Sequence, residues 1–253
     1  NVIPQETDLI IVDNYAIDKL WHTKLRRYVN KIMVIDDLAD RDFDCDILLN
    51  QNFAIQKSDY TKKIPQNCKL LIGCNYALLR SEFRKIREKS ILKRENTKKI
   101  KNILISMGTN DSTNKTFDIL QNIPDEFEIV VILGLKSQYN EMIKDYANGK
   151  NNVRVIIDSK NVSELMFNAD LAIGAGGSTS WERCCLGLPT LLYVLGENQI
   201  RVASSLQKAG VVKIVQDIKA DFHQISNNLS IWHSMSKNAK NVCDGYGVKR
   251  IEI

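Results

Sequence analysis

The sequence is poor in histidine and has no paired cysteines. Only His22, His223 and His233 are present in 253 residues. The six cysteines are Cys45, Cys68, Cys74, Cys184, Cys185 and Cys243, irregularly spaced and without a C-x-x-C pair. Zinc-ligand spacing is therefore absent, and no metal site is expected. The thiols are expected to be reduced, in a cytoplasmic protein. No apolar run approaches the ~18 to 20 residues that cross a bilayer, so membrane insertion is not expected. No signal-peptide pattern, internal repeat or low-complexity tract is visible. Strong charge of either sign is also missing. Thirty-five basic and 30 acidic residues leave a formal net charge of +5, spread along the chain. Lys98-Lys99-Ile100-Lys101 and Lys85-Ile86-Arg87-Glu88-Lys89 look like solvated linker and helix faces, so no nucleic acid is expected as partner. A mild positive balance suits an anionic small substrate.

What remains is ordinary globular material, 44% hydrophobic and 26% charged, enough for one large or two modest domains. The pattern is α/β. Residues 9–12, 31–37 and 45–50 are short apolar runs of buried parallel-strand type, with a helix expected over 18–29. Residues 76–93 form a basic helical connector, and the polar stretch 95–101 is the expected boundary between domains 1–95 and 96–253. Beyond it, strands are expected at 101–107, 128–133, 153–157, 171–173, 190–194 and 211–215. Helices are expected at 114–121, 139–147, 162–168, 180–186, 199–209 and 220–238. This alternation predicts a parallel, doubly wound sheet. The first domain looks incomplete. The chain opens Asn1-Val2-Ile3-Pro4 and reaches its first strand almost at once, with only two further strands to bury it on both faces. Two or three further βα units are expected before Asn1.

A doubly wound sheet gathers ligands at the carboxyl ends of its strands. Three loops are expected there: 106–111, 158–161 and 174–180. The last is Gly174-Ala175-Gly176-Gly177-Ser178-Thr179-Ser180-Trp181-Glu182, followed by Gly187-Leu188-Pro189 and Glu197-Asn198-Gln199. Its glycines let the backbone turn sharply and approach a ligand, and its hydroxyl residues suit a helix start. Strand, glycine turn and helix N-terminus together make a phosphate cradle. Many α/β proteins carry such a turn with no ligand, and taken alone it fits a plain structural turn better than a phosphate cradle. Glu182, in the first turns of the helix, is placed to accept hydrogen bonds from a ribose diol. The acidic residues Asp36, Asp37, Asp40, Asp42 and Asp44 fit strand-end caps and a turn better than a metal site.

Together these segments resemble the nucleotide-sugar half of the glycosyltransferase-B superfamily and, within it, the UDP-sugar hydrolases of pseudaminic acid biosynthesis. The resemblance covers nearly the whole chain. Met107-Gly108-Thr109-Asn110-Asp111 is similar to the family's Gly-Gly-Thr/Ser-Asp-Pro loop, with Met107 for the first glycine and Ser112 for the proline. Residues 158–165 resemble the segment whose backbone reads uracil, near Val162. Val12-Asp13-Asn14-Tyr15, Ile35-Asp36-Asp37 and Leu48-Leu49-Asn50-Gln51-Asn52 match strand-end segments of the first domain. Gly73-Cys74-Asn75-Tyr76-Ala77-Leu78-Leu79-Arg80-Ser81-Glu82-Phe83 matches the connector. Cys243-Asp244-Gly245-Tyr246-Gly247-Val248-Lys249-Arg250 matches the carboxy-terminal Asp-Gly-x-Gly-x-x-Arg ending.

The resemblance implies two Rossmann-like domains of glycosyltransferase-B type and no cofactor. It implies a metal-independent hydrolase releasing UDP from a UDP-linked diacetamido-trideoxy sugar by water attack at the anomeric carbon. Gly108, Thr109, Val162, Gly177, Ser178, Thr179, Glu182 and Gln199 would bind UDP and sugar, while Tyr15 and Asn198 would act on the sugar and water side. The blander reading packs Tyr15 in the core and leaves Asn198 as a helix cap. The family's Gly-x-Gly-His loop, source of its proposed general base, has no counterpart in these residues, and is expected upstream of Asn1. His22, expected on a surface helix, and His223 and His233 are read as surface or packing residues. Two rivals stay open: a transferase of the same superfamily, and a non-catalytic nucleotide-sugar-binding protein. No amphipathic apolar-basic helix marks the membrane-facing patch such transferases often carry.

Overall fold

A computed structural model describes residues 7–251. Asn1, Val2, Ile3 and Pro4, on which the expectation of an incomplete first domain partly leans, lie outside the described residues. The chain divides into two compact units, Asn1–Leu78 with Tyr246–Ile253, and Leu79–Gly245.

The first unit is a parallel sheet in the order β1-β2-β3-β4. Its strands are β1 (Thr7–Val12), β2 (Val29–Ile35), β3 (Ile47–Asn50) and β4 (Lys69–Ile72), with helix α1 (Lys19–Leu25) after β1. One expectation needs correction. A fourth strand, Lys69-Leu70-Leu71-Ile72, pairs with β3 from Ile47↔Lys69 to Asn50↔Ile72. Among the described residues β1 pairs with β2 and lies at the edge of the sheet, with Ile11 53% exposed. The core gathers Val12, Leu25, Ile32, Val34, Phe43, Leu48 and Tyr60.

Helix α1 starts where Asp18 accepts from the Trp21 N–H at 3.2 Å, and it is shorter than expected. It ends at Leu25 because Arg26 is held by two carboxylates, at 2.8 Å from Asp44 and 2.6 Å from Asp46, and the chain turns straight into β2. Asp36 accepts from the Ala39 N–H at 2.8 Å and the Tyr60 hydroxyl at 2.6 Å. These carboxylates therefore act as caps and clamps of the 36–46 turn.

His22 is not on the surface. It is fully buried, beside Trp21 and Phe43, and neither ring nitrogen has a partner. Burial pushes its pKa below the ordinary 6.5, since the charged ring loses its hydration. The unfolded chain then takes up this proton at higher pH than the folded one. The His22 contribution to stability is expected to be full above about pH 6.5 and to fall as pH drops below it. Urea melts between about pH 5 and 8 check this, because His22→Phe is expected to flatten that part of the profile.

The second unit is a six-stranded parallel sheet in the order β10-β9-β8-β5-β6-β7. Its strands are β5 (Asn102–Ser106), β6 (Glu128–Leu133), β7 (Val153–Ile157), β8 (Leu171–Ala175), β9 (Thr190–Tyr193) and β10 (Val212–Ile214). Its helices are α2 (Ser81–Glu95), α3 (Lys115–Asn122), α4 (Asn140–Asn148), α5 (Val162–Asn168), α6 (Thr179–Cys185), α7 (Glu197–Lys208), α8 (Ile218–Ser226) and α9 (Leu229–Lys240). The doubly wound α/β architecture is as expected. The helix expected over 220–238 is two, because the Asn228 side chain accepts from the Ile231 N–H at 3.1 Å and starts a new one.

The contact boundary falls at Leu78 and Leu79 rather than in 95–101. Helix α2 is bound into the second unit by its own polar side chains. Lys93 donates to the Asn168 carbonyl at 2.6 Å, and buried Arg94 to those of Met166 and Ala169 at 2.8 and 3.2 Å. They satisfy the open C-terminal carbonyls of α5. Arg87 donates to the carbonyls of Lys240 and Cys243 at 2.7 and 3.0 Å. The carboxy-terminal helix α10 (Gly247–Arg250) belongs to the first unit. A side chain at Gly247 would strike the Ala77 carbonyl, and Arg250 donates to the Asn75 carbonyl at 2.9 Å. The glycine and arginine of the Asp-Gly-x-Gly-x-x-Arg ending thus seat it on the first half of the 73–83 connector.

Candidate functional site

From β5 the chain of the second unit runs outward to β6 and β7, then returns to the other side of β5 as β8. That reversal puts the topological switch point of the sheet between β5 and β8, at whose carboxyl ends Ser106 pairs with Gly174. The glycine requirement there is steric. A Cβ at Gly174 would sit 2.6 Å from the Ser106 carbonyl oxygen and collide with the Arg183 guanidinium. After β8, Gly176 donates to the Tyr193 carbonyl at 3.0 Å, and Gly177 and Ser178 lie exposed before α6 begins at Thr179. Ser178 stands at the cap position, its hydroxyl making no capping bond.

Gln199 is drawn beside this loop. Its Oε1 accepts from the Leu195 N–H at 3.0 Å and is 3.3 Å from the place a Gly176 Cβ would occupy. Asn198 is exposed in the first turn of α7, where Gly196 is the cap residue. In the loop after β5, Gly108 has φ +86°, and Gly108, Thr109 and Asn110 are exposed. Met107, the departure from the family loop, is buried in the core of the sheet. Thr109 lies against Gly134 at the end of β6, too close for any side chain at 134.

Asp111 fixes the shape of this second loop, accepting from the N–H groups of Lys115 and Thr116 at 2.9 and 2.8 Å. Asp111→Ala leaves both donors of α3 without a partner and is expected to lower stability by about 1 kcal/mol, the scale of a lost helix cap, read by chemical denaturation.

Glu182 lies one turn along α6, its side chain 15% exposed, with Arg80 Nη2 at 3.7 Å. Arg80 is shared with Glu82 at 3.1 Å. Burial pushes the Glu182 carboxyl above its ordinary range, while Arg80 and Arg183 pull it back.

The structure thus brings Gly177, Ser178, Thr179 and Gln199 to neighbouring strand ends, with Gly108 and Thr109 in the loop after the adjacent β5 and Glu182 behind. Val162 opens α5 after β7, at the edge of the sheet, with β6 and β5 between it and β8. Tyr15 stands in the first unit, just past the end of β1. It is 61% exposed rather than packed in a core, and its hydroxyl donates to Asp37 Oδ2 at 2.9 Å. Burial and the Asp37 carboxylate push its pKa up to about 12. In the sequence Asp37 reads only as part of a strand end and its acidic turn. Arg183 carries no mark in the sequence, where beside Glu182 in Trp181-Glu182-Arg183-Cys184-Cys185-Leu186 it reads as an ordinary helix charge.

Residues 83–245 match the family model of the glycosyltransferase family 28 C-terminal domain. The chain belongs to this family. The family 28 domain coincides almost end to end with the second unit, so the glycine loop, Glu182 and Gln199 all lie inside it. A UDP-2,4-diacetamido-2,4,6-trideoxy-beta-L-altropyranose hydrolase of Campylobacter jejuni is 31% identical to the chain over 215 residues, 83% of this chain and 75% of that protein. An uncharacterized protein of Methanocaldococcus jannaschii is 29% identical over 210 residues, 79% of this chain but only 43% of that protein. The chain therefore spans less than half the length of the second relative. The crystal structure of MurG from Acinetobacter baumannii shares the fold, with a TM-score of 0.60 at 15% identity, over 91% of this chain and 68% of that one. The fold is Rossmann-like, of glycosyltransferase-B type, and the chain is related to enzymes of that superfamily. No helix among the described residues is long and apolar enough to cross a membrane.

Proposed function

We propose that the chain acts on a UDP-sugar, of the UDP-linked 2,4-diacetamido-2,4,6-trideoxy class named for its Campylobacter relative, and releases UDP by attack of water at the anomeric carbon. The observation that carries this reading is the exposed glycine turn at the switch point of the second sheet, with Glu182 one turn behind it. In the proposal, backbone N–H groups of Gly177, Ser178 and Thr179 hold the diphosphate, and Gly108 and Thr109 close its other side. Glu182 takes the ribose hydroxyls, and the start of α5 at Val162 reads the base.

Water attack forms the bond from oxygen to the anomeric carbon as the bond to the diphosphate oxygen breaks. The proton the water loses passes to a base outside residues 7–251 or to solvent, and UDP leaves as an anion. Fixed donors aimed at the diphosphate stabilise charge that grows there in the transition state, and binding both ends of the substrate supplies orientation. The reading calls on no metal. Tyr15 and Asn198 are assigned to the sugar and water. No general base is assigned within residues 7–251: His22 is sealed in a core, and His223 and His233 sit on α8 and α9.

The test is a UDP-sugar assay on the protein containing this chain, with and without acceptor. Free sugar and UDP released without an acceptor support the hydrolase. Turnover only with an acceptor sugar shifts the reading to a transferase, and binding without any turnover shifts it to a nucleotide-sugar-binding protein.

A further inference from the structure

The second unit holds a buried cation without a paired carboxylate among the described residues. Arg183, on α6, is 3% exposed, yet among the described residues no carboxylate is paired with it. One Nη2 donates to the Ala175 carbonyl at 2.7 Å and to the Ser180 hydroxyl at 3.0 Å. Nη1 lies against Gly174, where a methyl group would collide with it. Nε is buried with no partner at all. Glu182 and Cys184 act on it only through space, and burial pushes the guanidinium down to about 10. A buried, unpaired charge is strongly unfavourable unless something offsets it. Three of its neighbours, Gly174, Ala175 and Ser180, frame the loop whose tip is Gly177 and Ser178. The two hydrogen bonds it makes are to neutral oxygens, which a neutral donor would satisfy as well. What a guanidinium adds is a full positive charge beneath the loop.

We propose that Arg183 is a positioning residue for the diphosphate: its buried charge, delivered through the Gly174–Ala175 backbone and Ser180, makes this loop selective for a multiply charged phosphate group. Glycine at 174 is then required for two reasons, the approach of β5 and the approach of the guanidinium. An anion on the loop supplies the counter-charge that the free protein lacks. The low dielectric around Arg183 makes that attraction larger than a surface arginine would give. This inference rests on the phosphate-loop reading of the proposed function, so the two must be separable in one experiment.

Calorimetric titration with UDP, uridine and inorganic pyrophosphate is run on the wild type and on Arg183→Gln and Arg183→Lys. Gln keeps a donor for Ala175 without the charge, and Lys keeps the charge without the fork. Arg183→Gln is expected to weaken UDP and pyrophosphate by about tenfold or more while leaving uridine unchanged, and Arg183→Lys to stay within about threefold of the wild type. The opposite order, with Gln retaining affinity and Lys losing it, makes Arg183 a loop brace and overturns the proposal. If the wild type binds UDP no better than uridine and does not bind pyrophosphate, the phosphate loop itself is misassigned and both readings fall. If UDP exceeds uridine in the wild type and Arg183→Gln preserves that gap, this inference alone falls. Thermal melts verify that each variant is folded. Arg183→Met, neutral and suited to an apolar wall, takes the same test should the Gln variant not fold.

Discussion

Glu182→Ala is expected to weaken UDP binding by roughly 1.5–3 kcal/mol, the scale for removing a charged hydrogen-bond partner. The carboxylate sits on α6 behind the exposed glycine turn, its side chain 15% exposed, with Arg80 3.7 Å away. It has no capping duty. Ser178 is at the cap position, and Arg80 keeps Glu82 as a partner when Glu182 is lost. The loss should therefore appear in binding rather than in folding. Glu182→Gln separates the two halves of the effect, since the amide keeps one acceptor oxygen without the charge. The pH dependence has a fixed sign. Burial raises this carboxyl above its ordinary range, so its contribution is full at neutral pH and is lost as pH falls through the raised value, earlier than for a surface glutamate. Titration calorimetry with UDP at several pH values reads both. An alanine variant that binds UDP as tightly as the parent would remove Glu182 from the ribose.

The second unit was legible because its elements repeat a simple pattern. Glu128–Leu133, Val153–Ile157 and Val162–Asn168 coincide with the expected ranges. Each is a short apolar run or a helix face between polar turns. The misses have local causes. Lys69-Leu70-Leu71-Ile72 is four residues long with an exposed lysine at its start, too short to stand out by period. The break at Asn227 and Asn228 lies inside an otherwise continuous helical pattern, and only the Asn228 cap divides it. Helix α2 looked like a linker because its composition is basic. In the fold, Arg87, Lys93 and Arg94 point their donors at carbonyls of α5, α9 and the segment after it. Such long-range capping leaves no trace in periodicity. At the site, the glycines and Glu182 carried their own signal. Asp111, Asp37 and Arg183 act through partners that no spacing rule reveals, and Arg183 in particular reads from sequence as one more helix-surface charge.

Tyr15→Phe and Asn198→Ala are each expected to lower turnover about a hundredfold, the scale for a positioned proton-handling or hydrogen-bonding group, with little change in UDP affinity. Tyr15 is exposed past the end of β1, where a doubly wound sheet presents its side chains to ligands. Its hydroxyl hydrogen is committed to Asp37 Oδ2 at 2.9 Å. With its pKa pushed up to about 12 by burial and that carboxylate, it stays protonated throughout the working range. In the proposed reaction Tyr15 is assigned as an oriented oxygen that accepts from a sugar hydroxyl or the attacking water, and not as the base. Phenylalanine removes that oxygen and keeps the ring. Asn198 is exposed on the first turn of α7, where Gly196 rather than Asn198 is the cap residue. Its amide is free to donate and accept toward substrate. UDP itself is assigned to the glycine loop, Glu182 and α5, so its dissociation constant is expected to hold in both variants while kcat falls. The tyrosine assignment adds a second readout: no limb of the pH–rate profile below about pH 10 should vanish in Tyr15→Phe, because Tyr15 does not ionise there. Parallel losses of UDP affinity and turnover would show that these residues support the fold or the nucleotide, and would remove them from the reacting end of the substrate.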